Sequence, residues 1–477
     1  MEFHIGLTRR GDLSVQIYRH IRDAVMDGRL MPRERLPPTR EFARRLGVSR
    51  NTVSLAYELL EADGILVGRV GDGSFVSGDS VERSSPRRAP VGIVAPKPIW
   101  NSIPSPGARA TTARAYDYDF GVGIPDATLF PFTQWRRLIA KELRPAAEHG
   151  RYQPPAGHTA LRAAIARHIG VSRAVKAGAD DVIVTQGAQQ AFDLIGRVVL
   201  SQRTCVAIEE PGYPYARLLF ESMGARVAGI PVDHEGLIVS AIPRDARLLY
   251  VTPSHQFPLG YSMSFERRME LLSWAERSGT LIIEDDYDSE FRFGGQPLDP
   301  LQTLDRTGCV IYVGSFSKVL LPTLRLGFLI APASLRQALL AARQLTDWHS
   351  DLAKQIALAN FIDRGLLAKQ IRKLNREYSG RYARIADLLD QRFRNWLRPI
   401  RTASGIHVTT ELHEGARIDI QSIVTDADEH GVRVQALASF CANEPRAGLV
   451  IGFGAIAAAG INEGMKRLEA GFRRTRK

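Results

Sequence analysis

The sequence predicts two folded parts of different class. One is an N-terminal helix-turn-helix with a small β wing; the other is a C-terminal α/β domain built on a doubly wound sheet. Three observations carry this. Residues 1–78 hold three amphipathic helical stretches followed by a glycine-punctuated hairpin. From Tyr116 onward, strand-like and helix-like segments alternate, the pattern of an open sheet covered by helices. Within that region the strand-like run Val310-Ile311-Tyr312-Val313 breaks at Gly314 into Ser315-Phe316-Ser317-Lys318, with Arg325 shortly beyond.

Bulk properties set the frame. A chain of 477 residues with 44% hydrophobic content has room for more than one core. The formal net charge of +12 favours a polyanionic partner. The three cysteines, Cys205, Cys309 and Cys441, lie far apart with no CxxC or Cys/His cluster, which suits a reducing cytoplasm and argues against a zinc site. No apolar run approaches the ~18 residues of a membrane span, and Met1-Glu2-Phe3-His4 opens no signal core, so a cytoplasmic protein is expected.

In the first part, Val15, Tyr18, Ile21 and Val25 recur at helical spacing, and Gly28 closes that helix. Thr39 is read as the N-cap of a short helix bearing Phe42 and Leu46. Gly47-Val48 turns the chain, and Ser49 caps a third helix with Val53, Ala56, Tyr57 and Leu60 on one face. The opposite side of its first turn presents Ser49, Arg50, Asn51 and Thr52, the position that reads base edges in a helix-turn-helix. Gly64-Ile65-Leu66-Val67 and Ser74-Phe75-Val76, around Gly71-Asp72-Gly73, form a hairpin suited to lie along phosphates. From Gly78 to about Ala115 periodicity vanishes. Residues 79–115 read as a Pro/Ser/Arg-rich linker in which Arg83, Arg87, Arg88, Lys97, Arg109 and Arg114 outnumber Asp79 and Glu82. Ile99-Trp100 is an apolar patch able to dock on a neighbouring domain.

The third part, 116–477, divides into a large portion to about residue 340 and a smaller one from 341. Its chemistry gathers at strand ends, where open α/β sheets bind ligands. Asp181–Thr185 breaks at Gly187 into a helix from Ala188, presenting free amides to an anion. Tyr213 follows the strand Cys205–Glu209 and suits stacking on a flat ring. The loop after Tyr250-Val251 offers His255 and Gln256. Leu281-Ile282-Ile283 ends in Glu284-Asp285-Asp286-Tyr287-Asp288, a costly place for unpaired carboxylates. A carboxylate there can hold a pyridine nitrogen protonated. A metal is disfavoured because no histidine or second acid cluster follows at useful spacing. Lys318 in a desolvated cleft becomes nucleophilic toward an aldehyde, while the hydroxyls and Arg325 suit a phosphate monoester. An aldehyde carrying a phosphate is pyridoxal 5'-phosphate (PLP).

Two resemblances extend these readings. Leu36-Pro37-Pro38-Thr39-Arg40-Glu41 and Asp63-Gly64-Ile65-Leu66, in their order, resemble the winged-helix domain of GntR-type regulators. That resemblance implies DNA contacts from Arg40, Ser49, Arg50 and Thr52, with Gly71 and Gly73 in the wing; Arg50 would read bases, and Arg40 and Arg69 would hold phosphates. The region from Tyr116 resembles the fold-type I PLP enzymes of the aspartate aminotransferase group. By position, Lys318 would carry the cofactor as a Schiff base, Asp285 would pair the ring nitrogen, and Tyr287 the ring oxygen. Gly187, Ala188, Ser315, Ser317 and Arg325 would hold the phosphate, and Tyr213 would stack. His255 or Gln256 would replace a usual asparagine, and Tyr152 would reach the partner subunit's phosphate.

The joint layout, with Thr252-Pro253-Ser254-His255-Gln256 and Glu284–Phe291, resembles the MocR family of bacterial transcriptional regulators across the whole chain. It implies a homodimer, head-to-tail in relatives, that binds operator DNA. A small effector (PLP itself, an amino acid or an amine) would control genes of vitamin B6, amino-acid or amine metabolism. One departure stands out. Val450 falls about where the enzymes carry the arginine that clamps a substrate carboxylate; Arg217 and Arg446 are the nearest substitutes. The expectation is therefore sensing, not steady catalysis. The alternative is an active class I/II aminotransferase with an accessory DNA-binding domain.

Overall fold

The computed structural model describes residues 7, 12–69, 72–78, 97–103, 116–143, 151–294 and 299–474. Gly71 and most of the expected linker, 79–96 and 104–115, lie outside the described residues. The chain forms two compact units, 1–96 and 97–477.

In the first unit, α1 (Leu13–Met26), α2 (Thr39–Leu46) and α3 (Arg50–Ala62) precede the antiparallel pair β1 (Leu66–Arg69) and β2 (Gly73–Val76). Asp12 caps α1 by accepting from Ser14 N at 2.9 Å. The buried face of α1 is Ser14, Ile17, Ile21 and Ala24, rotated from the expected one. Val15, Tyr18 and Val25 flank it half-buried, because the true stripe is wide enough for either register to look apolar. The α2 cap also differs: Pro38 occupies the cap position, and Thr39 is the first helical residue. Gly47, at φ 66°, ends α2 in the left-handed conformation, and Ser49 Oγ accepts from Thr52 N at 3.1 Å to start α3. Val53, Ala56, Tyr57 and Leu60 of α3 are buried against α1 and α2, as their spacing requires.

The second unit begins with α4 (Ile99–Ser102), which packs on α8 (Pro214–Ser222) and leaves Trp100 exposed. Its centre is an eight-stranded sheet in the order β4-β11-β10-β9-β8-β5-β6-β7. The parallel strands are β5 (Cys205–Glu210), β6 (Arg226–Asp233), β8 (Ala246–Val251), β9 (Leu281–Asp286) and β10 (Val310–Ser315). The strand β11 (Gly327–Ile330) runs antiparallel to both β10 and β4 (Val182–Thr185), while β7 (Gly236–Leu237) edges β6.

Alternation along each strand sends neighbours to opposite faces. Val206, Ile208 and Ile283 pack under α7 (Ala188–Val199) and α8. Cys205, Ala207 and Ile282 pack under α9 (Phe265–Ser278). Both faces are covered, so these strands read as continuous apolar runs. The helix α10 (Ala333–Asp347) packs on α7 and crosses the expected boundary near residue 340.

A second, antiparallel sheet follows, in the order β12 (Leu397–Ile400), β13 (His407–Leu412), β16 (Gly448–Gly452), β15 (Gln435–Ala436). The short pair β3 (Tyr118–Asp119) with β14 (Val432–Arg433) ties the start of the unit to its end.

One buried ion pair braces the parallel sheet. Arg173, at the end of α6 (Thr159–Arg173), donates from Nε to Asp286 at 2.7 Å and from NH2 to Ser254 Oγ at 2.6 Å, while Tyr312 donates to Asp286 at 2.5 Å. Burial works against the Asp286 charge, but Arg173 and the hydrogen bonds prevail and hold its pKa below the usual range. Arg173→Met strands a fully buried carboxylate, so a loss of about 3–5 kcal/mol is expected in denaturant unfolding. Adding Asp286→Asn should recover part of it; an unchanged midpoint in the single variant would contradict the pairing.

Candidate functional site

The ends of β4, β5, β8, β9 and β10 converge with the loop after β3, the segment before β11 and parts of the C-terminal strands on one cavity of about 390 Å³. Of the residues singled out from sequence, Ala188, Tyr213, Asp285, Tyr287, Ser315, Ser317, Lys318 and Arg325 line it. They come from positions far apart in the chain because β4, β5, β9 and β10 all end at the same edge of the sheet. Gly187 stands at its wall with φ 83°; a Cβ there would lie 3.0 Å from the Arg325 guanidinium. Only glycine lets Arg325 close over the first turn of α7 while NH2 donates to Gln186 O at 2.6 Å. No side chain caps α7 at Gly187, so the first amides of a helix whose start lines the cavity at Ala188 are left without a side-chain cap. Ser315 Oγ donates to Ser317 Oγ at 2.9 Å. Two hydroxyls, a guanidinium and a helix start thus form a cradle for a phosphate-sized anion.

Across the cavity, Lys318 Nζ donates to Gly123 O at 2.6 Å. Burial pushes its pKa down, opposed by Asp288 and Asp285 and assisted by Arg325. Asp285 is buried; its Oδ2 accepts from Tyr250 OH at 2.7 Å, and its Oδ1 has no hydrogen-bond partner. Burial raises its pKa to about 7 despite the Tyr250 bond. A buried carboxylate with one orphaned oxygen, a desolvated lysine and an anion cradle fit a ligand with a protonated ring nitrogen, an aldehyde and a phosphate. PLP has that donor and acceptor set.

Three expected contributors stand elsewhere. His255 and Gln256 are buried but do not line the cavity. Asp288 sets both oxygens 3.0 Å from His255 Nδ1, which assigns the ring proton to that nitrogen. The Tyr287 hydroxyl donates to His255 O at 3.1 Å, so His255 acts behind Tyr287. Gln256 Nε2 donates to Pro211 O and Phe257 O at 2.9 and 2.7 Å, making it a strut between two loops. Tyr152 is 77% exposed and stacks on Trp348 outside the cavity.

Other residues went unread. Tyr250, Gly123 and Thr252 were given no role, although Tyr250 and Thr252 lay in a stretch already noted. His407, Arg433 and Gln435 come from the second sheet and its connecting strands, and no local pattern linked them to Lys318. His407 Nε2 donates to Pro258 O at 2.9 Å, and burial with nearby His255 lowers its pKa to about 3, so it is neutral. The fold also brings His255 and His407 beside Asp288, a grouping that sequence spacing concealed.

The suggested carboxylate clamps do not reach the cavity. Val450 is fully buried in β16 opposite Thr409. Arg217 is ion-paired with Glu210 and Arg446 with Glu411, and neither lines the cavity. Arg433 does line it, 3.5 Å from Asp119.

In the first unit, Arg40, Ser49, Arg50, Arg69 and Gly73 are exposed and Thr52 is half-buried. Ser49 and Thr52 share a 2.8 Å hydroxyl contact, so part of Ser49's capacity goes to the cap. The Arg69 guanidinium lies over the Phe75 ring at 5.1 Å, held on the wing.

Comparison with known proteins agrees with both units. The family described as "Bacterial regulatory proteins, gntR family" matches residues 13–76, and "Aminotransferase class I and II" matches 117–461. The chain is 34% identical to the probable rhizopine catabolism regulatory protein MocR of Rhizobium meliloti, over 96% of this chain and 93% of the relative. It is 31% identical to the pyridoxine biosynthesis transcriptional regulator PdxR of Corynebacterium glutamicum, covering 93% and 92%. Among solved structures, the α-aminoadipate aminotransferase LysN of Thermus thermophilus, complexed with N-(5'-phosphopyridoxyl)-L-leucine, is 29% identical with a TM-score of 0.70. That match covers 79% of this chain and 98% of that one. The chain belongs to the MocR family of GntR-type transcriptional regulators, a winged helix-turn-helix joined to an aminotransferase-like PLP domain.

Proposed function

We propose that this protein is a homodimeric, operator-binding regulator that holds PLP on Lys318 and reads a small effector through that site. The observation that carries the reading is the union in one chain of two features. One is a helix-turn-helix whose Arg40 and Arg50 are exposed; the other is a cavity with an orphaned Asp285 oxygen and a Lys318 of depressed pKa. When bound, the cofactor supplies an electrophilic carbon and an electron-withdrawing ring.

In this reading Asp285 Oδ1 accepts the ring N–H, Tyr287 meets the ring oxygen, and Tyr213 covers a ring face. Gly187, Ala188, Ser315, Ser317 and Arg325 take the phosphate. Exposed Tyr152 reaches toward the partner subunit. Arg50 reads bases from the start of α3, while Arg40 and Arg69 hold backbone phosphates. Regulation requires that effector or cofactor bind two arrangements of the dimer with different affinity.

A buried valine at 450 leaves an ordinary α-carboxylate without its usual partner. An anionic end of an effector would meet Arg433, which favours PLP itself, an amine or a differently shaped acid over common amino acids. The target genes then belong to vitamin B6, amino-acid or amine metabolism. The second reading, an active aminotransferase, is favoured by the intact lysine and the Asp285 carboxylate. Steady keto-acid release from common amino acids at enzyme-like rates would establish it in place of sensing.

Arg50→Ala is expected to weaken operator binding by about 1–3 kcal/mol in a gel-shift titration while cofactor absorbance stays unchanged. Equal affinity would make the helix-turn-helix incidental. Lys318→Ala should lose its bound cofactor on desalting, whereas a variant that keeps it would displace Lys318 from its role.

Asp285 yields a pH test. Its folded pKa, about 7, lies above the ordinary 3.8, so between these values the folded state holds a proton the unfolded chain has lost. The stability of the cofactor-free protein should therefore fall as pH rises through that window and level off above it. Asp285→Asn is expected to flatten part of the fall, by about 1–3 kcal/mol, and to weaken PLP binding. The same pH slope in both proteins would contradict the assignment.

A further inference from the structure

A second cavity of about 280 Å³ lies apart from the cofactor cavity, with no lining residue in common. The loops after β8, after β9 and between β12 and β13 form it, together with the first turn of α9, which carries Arg268, and His234 of the β6–β7 turn. Its lining carries Arg268, Arg292 and Arg401 together with Ser254, Ser289 and Ser404, and no carboxylate.

The three arginines differ. Arg268 is the floor, fully buried, and donates to Met263 O, Pro253 O and Asp299 O at 3.1, 2.8 and 3.3 Å, with Glu284 at 3.9 Å. Arg401 is an exposed rim residue paired with Asp390 at 2.9 Å. Arg292 is half-buried and uses only Nε, toward Ser289 O at 3.1 Å; among the described residues its terminal nitrogens have no partner. Burial and then Arg173 act against its charge, outweighing Asp286 and Glu290. A guanidinium cannot release its proton, so Arg292 remains a cation without an ion-pair partner among the described residues.

We infer that this pocket is a second ligand site, for a small phosphate-class oxyanion, with Arg292 as its principal contact. The hydroxyl chemistry favours phosphate over a lone carboxylate. Ser254 Oγ accepts from Arg173 at 2.6 Å, which leaves its own proton free to donate, and half-buried Ser404 lies beside Arg292, whose backbone it bridges. A tetrahedral oxyanion offers acceptors to the Arg292 fork and to both hydroxyls at once. The volume exceeds that of bare phosphate and suits the ester of a small metabolite.

The site is wired to the cofactor cavity by chain continuity. Ser254 precedes His255, Ser289 follows Tyr287 and Asp288, and Ser404 leads through Gly405 to His407. Gly405, at φ 91°, lies against the His255 ring, where a Cβ would come within 1.9 Å of it. Tyr287 and His407 line the cofactor cavity. An anion that braces these loops therefore changes cofactor affinity, and the cofactor reciprocally changes anion affinity.

The test is calorimetric titration of inorganic phosphate into full-length, PLP-loaded protein at constant ionic strength. The occupied cofactor cradle is then silent, and loading is checked separately by absorbance. Failure to load would count against the proposed cofactor role, not against the anion site. Saturable binding is expected, weakened on the order of tenfold or more by Arg292→Gln and less by Arg401→Gln, with cofactor absorbance retained. Absent saturation, identical binding by Arg292→Gln, or equal competition by chloride would overturn the site. Displacement of phosphate by duplex DNA would also overturn it, reassigning the patch to DNA backbone. If Arg292→Gln does not fold, Ser404→Asp must give the same loss by setting a carboxylate at the pocket wall; wild-type binding in that variant would refute the inference.

Discussion

Four carboxylates at the end of one buried strand are the constraint around which the second unit is arranged. Glu284, Asp285, Asp286 and Asp288 follow three apolar residues of β9, and all four are buried. Each must find its own compensation, since an unpaired buried charge costs several kcal/mol. Glu284 accepts from the backbone amides of Leu301 and Gln302, both at 2.9 Å, and lies near Arg268. Asp286 takes Arg173 and Tyr312, and Asp288 takes His255. Asp285 and Asp286 each keep one oxygen without a partner, but Asp286 is held by Arg173 and only Asp285 lines the cavity that holds Lys318. Three acids hold loops in place; the fourth is left for a ligand.

This division explains why the site has two layers. Residues that line the cavity are positioned by residues outside it, His255 and Asp288 behind Tyr287 and Gln256 between neighbouring loops, while Tyr250, itself at the lining, fixes Asp285. Loss of His255, Asp288 or Gln256 would move a lining side chain without removing a residue of the lining. The two buried imidazoles show the same economy of roles. His407 stays neutral and donates to Pro258 O, while His255 carries its proton toward Asp288.

Much of this was legible in the chain, and the reasons are local. The Ser49 cap, the buried face of α3 and the Gly47 turn are properties of adjacent residues, so periodicity and capping chemistry suffice. The strand-to-lysine passage at 310–318 and the strand-to-helix passage at Gly187 were legible because ligand sites of parallel sheets fall at strand ends. The errors are equally physical. The α1 face was read one register off because half-buried Val15, Tyr18 and Val25 border the true stripe. Thr39 was read as a cap because threonine often is one, but proline at the preceding position took it. His255 and Gln256 were placed in the cavity because polarity in a loop does not reveal which way a side chain turns.

The sequence by itself determined the reader helix, the alternating α/β order, the lysine with its anion cradle, and the valine at 450, since each is carried by residue type at short range. Tertiary structure alone decided which acid brings an unpartnered oxygen to the cavity lining, that Arg217 and Arg446 are already neutralised, and that His407 of the second sheet and Arg433 of the short β3/β14 pair reach the cavity. It also gathered Arg292 and three serines from three loops into a separate pocket. Those outcomes depend on pairing between residues tens to hundreds of positions apart. Burial makes such pairing obligatory, and only the folded chain settles the partners.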